Sequence, residues 1–520
     1  MEFHSYSEKC AFSSLKDIKD KKVTIMGLGL NGGGEAAVRF FLKHGAFVTV
    51  TDIKTKEQLQ TTIDSLENDS SLDKTRLTYR LGEHCIEDFE SADCVIKNPG
   101  VKYDGNKYLA AAKNIETDLS IFLRFTNAPI IAVTGSKGKS STVSAIHYGL
   151  NQAGFNCFLG GNITVSPLTF FDKVDESTPV VIEFSSWQLA DLRGRKVLKP
   201  FISIITKIVP DHLNWYGNMK DYVSDKQLIY ADQTTTDFSI FDYDDDEKGT
   251  EPENASSWGN LFSSESKATV LRYSKNPFKT KTFGVWQDKD EDGNFVGKVL
   301  LPQMNEPEIV LKELSVPGEH MKANALNAAL VLSLMNVPSP KIQEILKNWQ
   351  GINHRLQFFH SWKNQNTIYK FYNDSCATVP EAAAAATQAF GKEVILLTGG
   401  TDKGLELNPL IDVLTCKNTE NIKIKKIYLL EGTATDKLLP HLNDAQINYK
   451  GPFNNLKDLI FTLRKDLENE KTTELQNEEI VVFSPGATSF GMFANEFDRG
   501  EKLMQNIKEI FSEKKLWRYK

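Results

Sequence analysis

The chain has 520 residues, 40% hydrophobic and 25% charged, which is ordinary globular composition in a length beyond one hydrophobic core, so roughly two to four domains are expected. Its 61 Lys and Arg against 68 Asp and Glu give a net charge of −7, which supplies no general attraction for nucleic acid or an anionic membrane, and neither is expected as a partner. The scattered Cys10, Cys85, Cys94, Cys157, Cys376 and Cys416 form no C-x-x-C pair, and with no apolar signal core or run of about 20 apolar residues a cytoplasmic protein with reduced thiols is expected.

Residues 23–52 read as strand, glycine turn, helix and strand. Gly27, Gly29 and Gly32 satisfy G-x-G-x-x-G directly after an apolar strand, Ala36, Ala37, Phe40 and Phe41 give the helix an apolar face, and Asp52 ends the next strand, where ribose hydroxyls would be met. The pattern fits a dinucleotide or any nucleotide diphosphate, although a tight βαβ packing turn would carry the same glycines. A further strand at 94–97 leads into Asn98-Pro99-Gly100 at the carboxyl edge of the same sheet. A Rossmann-like domain is expected over residues 1–127.

Residues 130–150, IIAVTGSKGKSSTVSAIHYGL, form the stretch around which the rest is organised. A buried strand gives way to the turn Gly135-Ser136-Lys137-Gly138-Lys139-Ser140-Ser141, and a helix follows with Val143, Ile146 and Leu150 on its apolar face. Backbone N–H groups freed by Gly135 and Gly138, the helix N-terminus, Lys139 and Ser140 together suit a nucleotide phosphate and its Mg²⁺. The spacing, G-x-x-G-K-S, is shorter than the common phosphate loop. Strands at 179–184 and 201–206 bring Glu183, Ser185 and His212 to the same sheet edge. A carboxylate ending an apolar strand is costly to bury alone, so Glu183 calls for a cation partner. Polar runs at 242–260 and 287–294 read as surface loops, and a helix is expected at 322–335 with Asn324 in its first turn. A central parallel-sheet domain therefore spans 128–350.

From residue 351 the pattern restarts with strands at 368–372, 394–397, 426–430 and 480–483. Three are followed by the polar loops NDSCAT (373–378), GGTDKG (399–404) and SPGATS (484–489). A third parallel-sheet domain, 351–520, is expected, which makes the whole an α/β chain of three domains: Rossmann-like, P-loop ATPase-like and Rossmann-like.

These motifs resemble the Mur ligase family from residue 23 to about 507. The resemblance rests on TGSKGKSS, GGNIT (160–164), EFSSWQL (183–189), DH (211–212), GEHMKAN (318–324), HR (354–355), NDS (373–375) and SPGATSFGMFANEFDRG (484–500), in that order. GLGLNG, NPG and GGTDKG look most like the branch that adds glutamate. The resemblance implies ATP-dependent joining of glutamate to the carboxylate of UDP-N-acetylmuramoyl-L-alanine through an acyl phosphate, in peptidoglycan precursor synthesis, by a monomer. It implies that residues 135–141 with Asn324, Arg355 and Asp374 bind ATP, the last two from a third domain that closes over the site. Ser140 and Glu183 would hold one Mg²⁺, and His212 and a carbamylated Lys226 a second. By the same resemblance Gly29, Leu30, Asn31, Gly32, Asp52, Ile53, Asn98, Pro99, Gly100, Asn162 and Ser185 would hold the UDP-linked acid, and Thr378, Lys403 and Ser489 the glutamate.

The chain departs from the family pattern in four places: Cys376 where lysine commonly follows NDS, Lys207 in place of asparagine ahead of DH, the order Asn495-Glu496-Phe497, and the long acidic loops from Asp242. A sister ligase using another amino acid or glutamate enantiomer, and an NAD-dependent oxidoreductase built on residues 27–52, are the competing expectations.

Overall fold

A computed structural model describes residues 3–29, 32–244, 257–402, 404–415, 424–470, 477–489 and 491–512. Leu30, Asn31 and Lys403, and residues 245–256 of the acidic loop, lie outside them.

Three sheets carry the fold. In the first, β1 (Lys22–Met26), β2 (Phe47–Asp52), β3 (Leu77–Leu81), β4 (Cys94–Lys97) and β5 (Ile115–Glu116) run parallel in the order β3-β2-β1-β4-β5. The helix Gly33–Lys43 buries Ala36, Ala37, Phe40 and Phe41, as its period requires. The second sheet contains β6 (Ile130–Thr134), β7 (Phe158–Gly161), β8 (Val180–Glu183), β9 (Ile202–Ile205), β10 (Phe238–Asp242), β11 (Thr269–Ser274), β12 (Gly284–Lys289), β13 (Phe295–Leu300) and β14 (Glu308–Leu311). Its order is β14-β13-β12-β11-β10-β9-β6-β8-β7. Strands β6, β8 and β9 are fully buried and mutually parallel, so their carboxyl ends share one edge.

The second sheet is not wholly parallel, because β12, β13 and β14 pair antiparallel. This corrects the polar run at 287–294: its first three residues belong to β12 and only the remainder forms the hairpin turn. Likewise Asp242 ends β10, and residues 258–260 open the helix Trp258–Glu265. The helix expected from residue 322 begins at Glu319 and ends at Leu334.

The third sheet joins β15 (Gln357–Asn364), β16 (Thr367–Asn373), β17 (Val394–Gly399), β18 (Ile424–Leu430), β19 (Lys450–Phe453) and β20 (Asn477–Phe483) in the order β15-β16-β20-β17-β18-β19. It too is mixed, since β15 is an antiparallel edge strand on β16. The chain divides into two compact units, Met1–Glu313 with Ala323–Lys347, and Leu314–Lys322 with Asn348–Lys520. The first unit holds the first two sheets and the second unit holds the third. Among the described residues no helix is long and apolar enough to cross a membrane.

Candidate active site

The phosphate-type turn lies between β6 and the helix Lys139–Gln152. Gly138 caps that helix at φ +93°, and a Cβ there would lie 2.6 Å from Asn324 Oδ1, so no other residue fits without displacing Asn324. Asn324 is buried against this turn, and Thr142 Oγ1 donates to its Oδ1 at 3.4 Å. The turn is fixed from behind by backbone: the Ser136 and Lys137 N–H groups donate to the Lys207 carbonyl at 2.9 and 3.3 Å. What residue 207 contributes to the turn is therefore its carbonyl, a group that the exchange of asparagine for lysine leaves unchanged. Ser136 Oγ is spent on the fold, donating to Val209 O at 2.9 Å and meeting the Tyr222 hydroxyl at 2.9 Å.

Three charged side chains converge beside this turn. Lys139 Nζ donates to Gly135 O at 2.9 Å and Ser136 O at 3.0 Å, and Lys226 Nζ donates to the same Gly135 carbonyl at 2.9 Å. Lys226, on the helix Met219–Gln227, is 2% exposed. Burial, and then the charge of Lys139, push its amine down to about 7. Glu183, at the end of β8, is 1% exposed; its Oε1 accepts from Asn162 Nδ2 at 2.8 Å, and its buried Oε2 has no partner. An orphan carboxylate oxygen beside a polar turn fits a bound cation. His212 is exposed, in the left-handed region at φ +52°, with its ring 5.1 Å from Trp187 and 6.2 Å from Tyr222. The Lys226 ammonium lies 4.5 Å from the Tyr222 ring, so His212 and Lys226 flank one tyrosine. Among the described residues no three His, Cys, Asp or Glu side chains form a metal cluster by themselves. A cation at Glu183 therefore needs the hydroxyl of Ser140, a modified Lys226 or a ligand oxygen.

Next to these groups a cavity of about 510 Å³ opens between the first two sheets. Gly29, Asn98, Pro99, Gly100 and Asn162 line it, as do Thr164 and Gln188 of the GGNIT and EFSSWQL motifs, and Lys54, Asp118 and Ser166, which the sequence did not single out. Two expected contributors do other work. The Asp52 carboxylate accepts the Gly29 N–H at 3.1 Å and the Lys54 N–H at 2.9 Å, which holds the glycine turn and places Lys54. Ser185 is the N-cap of the helix Ser186–Ala190, where its hydroxyl accepts from Gln188 N. Ile53 is 69% exposed and, like Gly32, lies outside the lining. Asn98 Nδ2 donates to Gly27 O at 2.9 Å and thereby ties the two turns together.

In the second unit the NDS, HR and SPGATS segments form one polar network. Asp374 is buried, accepts from Ser484 Oγ at 2.6 Å and from Leu356 N at 3.1 Å, and burial raises its carboxyl to about 7. Asn373 Nδ2 donates to His354 Nδ1 at 2.8 Å, which turns the other ring nitrogen toward Glu501 at 3.3 Å. Arg355 is exposed between two left-handed residues, His354 and Leu356. Thr378 donates its N–H to Cys376 O at 3.0 Å, Ser489 is buried, and the half-buried Cys376 thiol is raised by desolvation. The residue that binds these loops was not anticipated. Arg499, 1% exposed, donates to Ser375 Oγ and O at 3.0 and 2.7 Å, and to Ala487 O and Thr488 O at 3.1 and 3.0 Å.

A glycine turn with two lysines and an orphan carboxylate, beside a cavity entered by a second glycine turn, defines a nucleotide-using enzyme of the α/β class. Residues 133–332 match the family described as Mur ligase middle domain, and residues 21–119 match Mur ligase MurD-like, N-terminal domain. The chain is similar to the UDP-N-acetylmuramoylalanine–D-glutamate ligase of Treponema pallidum, at 37% identity over 95% of this chain and 98% of that one. It is also similar to the ligases of the same name from Borreliella afzelii, at 36% over 94% and 97%, and Roseiflexus sp., at 30% over 94% and 99%. Among solved structures, UDP-N-acetylmuramate-alanine ligase from Thermotoga maritima shares the fold, with a TM-score of 0.52 at 18% identity, covering 94% of this chain and 99% of that chain. The chain belongs to the Mur ligase family.

Proposed function

We propose that this protein is an ATP-dependent ligase that joins D-glutamate to the carboxylate of UDP-N-acetylmuramoyl-L-alanine in peptidoglycan precursor synthesis, acting in the cytoplasm as a monomer. The end-to-end similarity to the Treponema pallidum D-glutamate ligase carries this reading. The match of residues 21–119 to a ligase N-terminal domain supports the UDP-linked acid as the occupant of the 510 Å³ cavity. It weighs against a nicotinamide-dependent oxidoreductase built on the same glycines.

In this reading a carboxylate oxygen of the UDP-linked acid attacks the γ-phosphorus of ATP; an O–P bond forms as the bond to ADP breaks, which leaves an acyl phosphate. The glutamate amine then attacks the acyl carbon and loses a proton, and phosphate departs with the former carboxylate oxygen. Such chemistry asks the protein for positioning and charge neutralisation. Lys139 and the N–H groups of residues 138–141, those of Ser136 and Lys137 being bonded to the Lys207 carbonyl, hold the phosphates, Asn324, Arg355 and Asp374 contact the nucleotide, and Thr378, Lys403 and Ser489 receive the glutamate. Ser140 and Glu183 hold one Mg²⁺, and His212 with carbamylated Lys226 a second; when bound, these ions offset the charge on the phosphoryl oxygens. The unpartnered Glu183 Oε2 supports the first site. The buried Lys226 amine, pushed down to about 7, supports carbamylation, because only the neutral amine attacks CO₂ and burial raises its share.

The test is ADP release with UDP-N-acetylmuramoyl-L-alanine and each glutamate enantiomer. Release with D-glutamate alone is expected. Release that depends on a different amino acid, or none with either enantiomer, overturns the reading.

A further inference from the structure

The walls of the UDP-substrate cavity come from two sheets, and the charge that joins them is buried. β4 runs into Asn98-Pro99-Gly100 on one wall, while Gln188, on the helix Ser186–Ala190 after β8, forms part of another. Lys97, the last residue of β4, has 1% of its side chain exposed; its ammonium donates to Asp191 Oδ2 at 2.7 Å and to the Asn98 carbonyl at 3.2 Å. Asp191 is the C-cap of the Gln188 helix, so a single ion pair links the base of one wall to the end of the other.

The N-terminal segment secures this pair. The Tyr6 hydroxyl donates to Asp191 Oδ1 at 3.2 Å, and the Tyr6 N–H donates to Arg193 O at 2.9 Å. Arg195 lies 4.1 Å over the Tyr6 ring, donates Nε to Asp191 O at 2.6 Å, and pairs with Glu116 of β5 at 2.9 Å, both side chains 1% exposed. Arg124 closes the chain of charges on Glu116 at 3.0 Å.

Such an arrangement is poor value as a source of stability, since an apolar pair of equal volume is often as stable as a buried ion pair. What ions add is directionality: the Lys97 ammonium satisfies Asp191 and Asn98 together at only one spacing of the two walls. We propose that Lys97 and Asp191 are positioning residues for the UDP-linked substrate, fixing the separation of the cavity walls, with Tyr6 holding Asp191 in place. The inference rests on the ligase reading.

The test uses the full chain with Lys97→Met/Asp191→Asn, which removes both charges while keeping the size of each side chain and an acceptor for Tyr6, and steady-state ADP release. Misplaced walls raise KM for the UDP-linked acid by about tenfold, with kcat and the KM for ATP held within about twofold. A purely structural role lowers the active fraction, and so kcat, at constant KM. A folded double variant with the parental KM for the UDP-linked acid therefore overturns the inference. Should that variant not fold, Tyr6→Phe decides: losing one hydrogen bond to Asp191 raises the same KM by about threefold, and an unchanged KM is the overturning result. A parent protein that releases no ADP with any amino acid removes the ligase reading and takes this inference with it, whereas an active parent with unmoved variants removes the inference alone.

Discussion

Lys226 carries a charge that the fold resists. An amine in the unfolded chain titrates near about 10.4, whereas burial and the Lys139 charge hold Lys226 at about 7. Between those values the unfolded state binds more protons than the native one, so stability rises with pH across that window. The cost is full below about pH 7, where it is of order 4 kcal/mol. Lys226→Met is therefore expected to be more stable than the parent at pH 6.5, with an advantage that shrinks by pH 9, as measured by urea unfolding in CO₂-free buffer. An advantage that grows with pH would refute this. If the amine works as a carbamate, Lys226→Ala loses at least about 100-fold in ADP release, and formate or acetate restores part of it; no restoration counts against the carbamate. Burial of this kind is hard to read from sequence, because lysine and arginine are solvated by default. Lys97 meets Asp191 across 94 positions and Arg499 meets Ser375 across 124, and no local pattern encodes either meeting.

At the level of elements, the turn between β6 and its helix is where sequence and structure agree most closely, because glycine spacing, apolar strand and apolar helix face each constrain the same few residues. Lys139→Ala keeps every backbone N–H of that turn and removes only the ammonium. It should abolish ADP release, a loss of about 1,000-fold or more, while the Kd for UDP-N-acetylmuramoyl-L-alanine by calorimetry stays within about twofold. Turnover at the parental rate would show that the phosphates lie elsewhere. The buried strands β1, β2, β4, β6, β8 and β9 were legible as continuous β-branched runs. The antiparallel strands β12 to β15 were not: the edge strand β15, QFFHSWKN, mixes polar and aromatic residues without a clean run, and the end of β12, Gln287–Lys289, is as polar as the turn after it. Ser185 and Asp52 were legible as strand-end polar groups, but which backbone N–H each would satisfy was not, because a cap and a ligand contact call for the same residue types.

For the whole molecule, the two compact units have separate cores, one built on residues such as Phe41, Ile182 and Phe241, the other on Phe371, Leu397 and Val481. Separate cores should unfold as separate cooperative transitions. Arg499 belongs wholly to the second unit, where its guanidinium binds the NDS and SPGATS loops to the helix Glu496–Ile510. Arg499→Met keeps most of the buried volume but strips the partners from the Ser375, Ala487 and Thr488 carbonyls, a loss of about 3–5 kcal/mol on the usual cost of orphaned buried acceptors. Calorimetry should then show one transition lowered by roughly 6–15 °C and the other unmoved. Affinity for UDP-N-acetylmuramoyl-L-alanine, a property of the first unit in the ligase reading, should survive while ADP release falls. A single transition that shifts as a whole, with UDP-substrate affinity lost in step, would mean that the two cores fold as one and that the second unit is required for the first to hold its ligand.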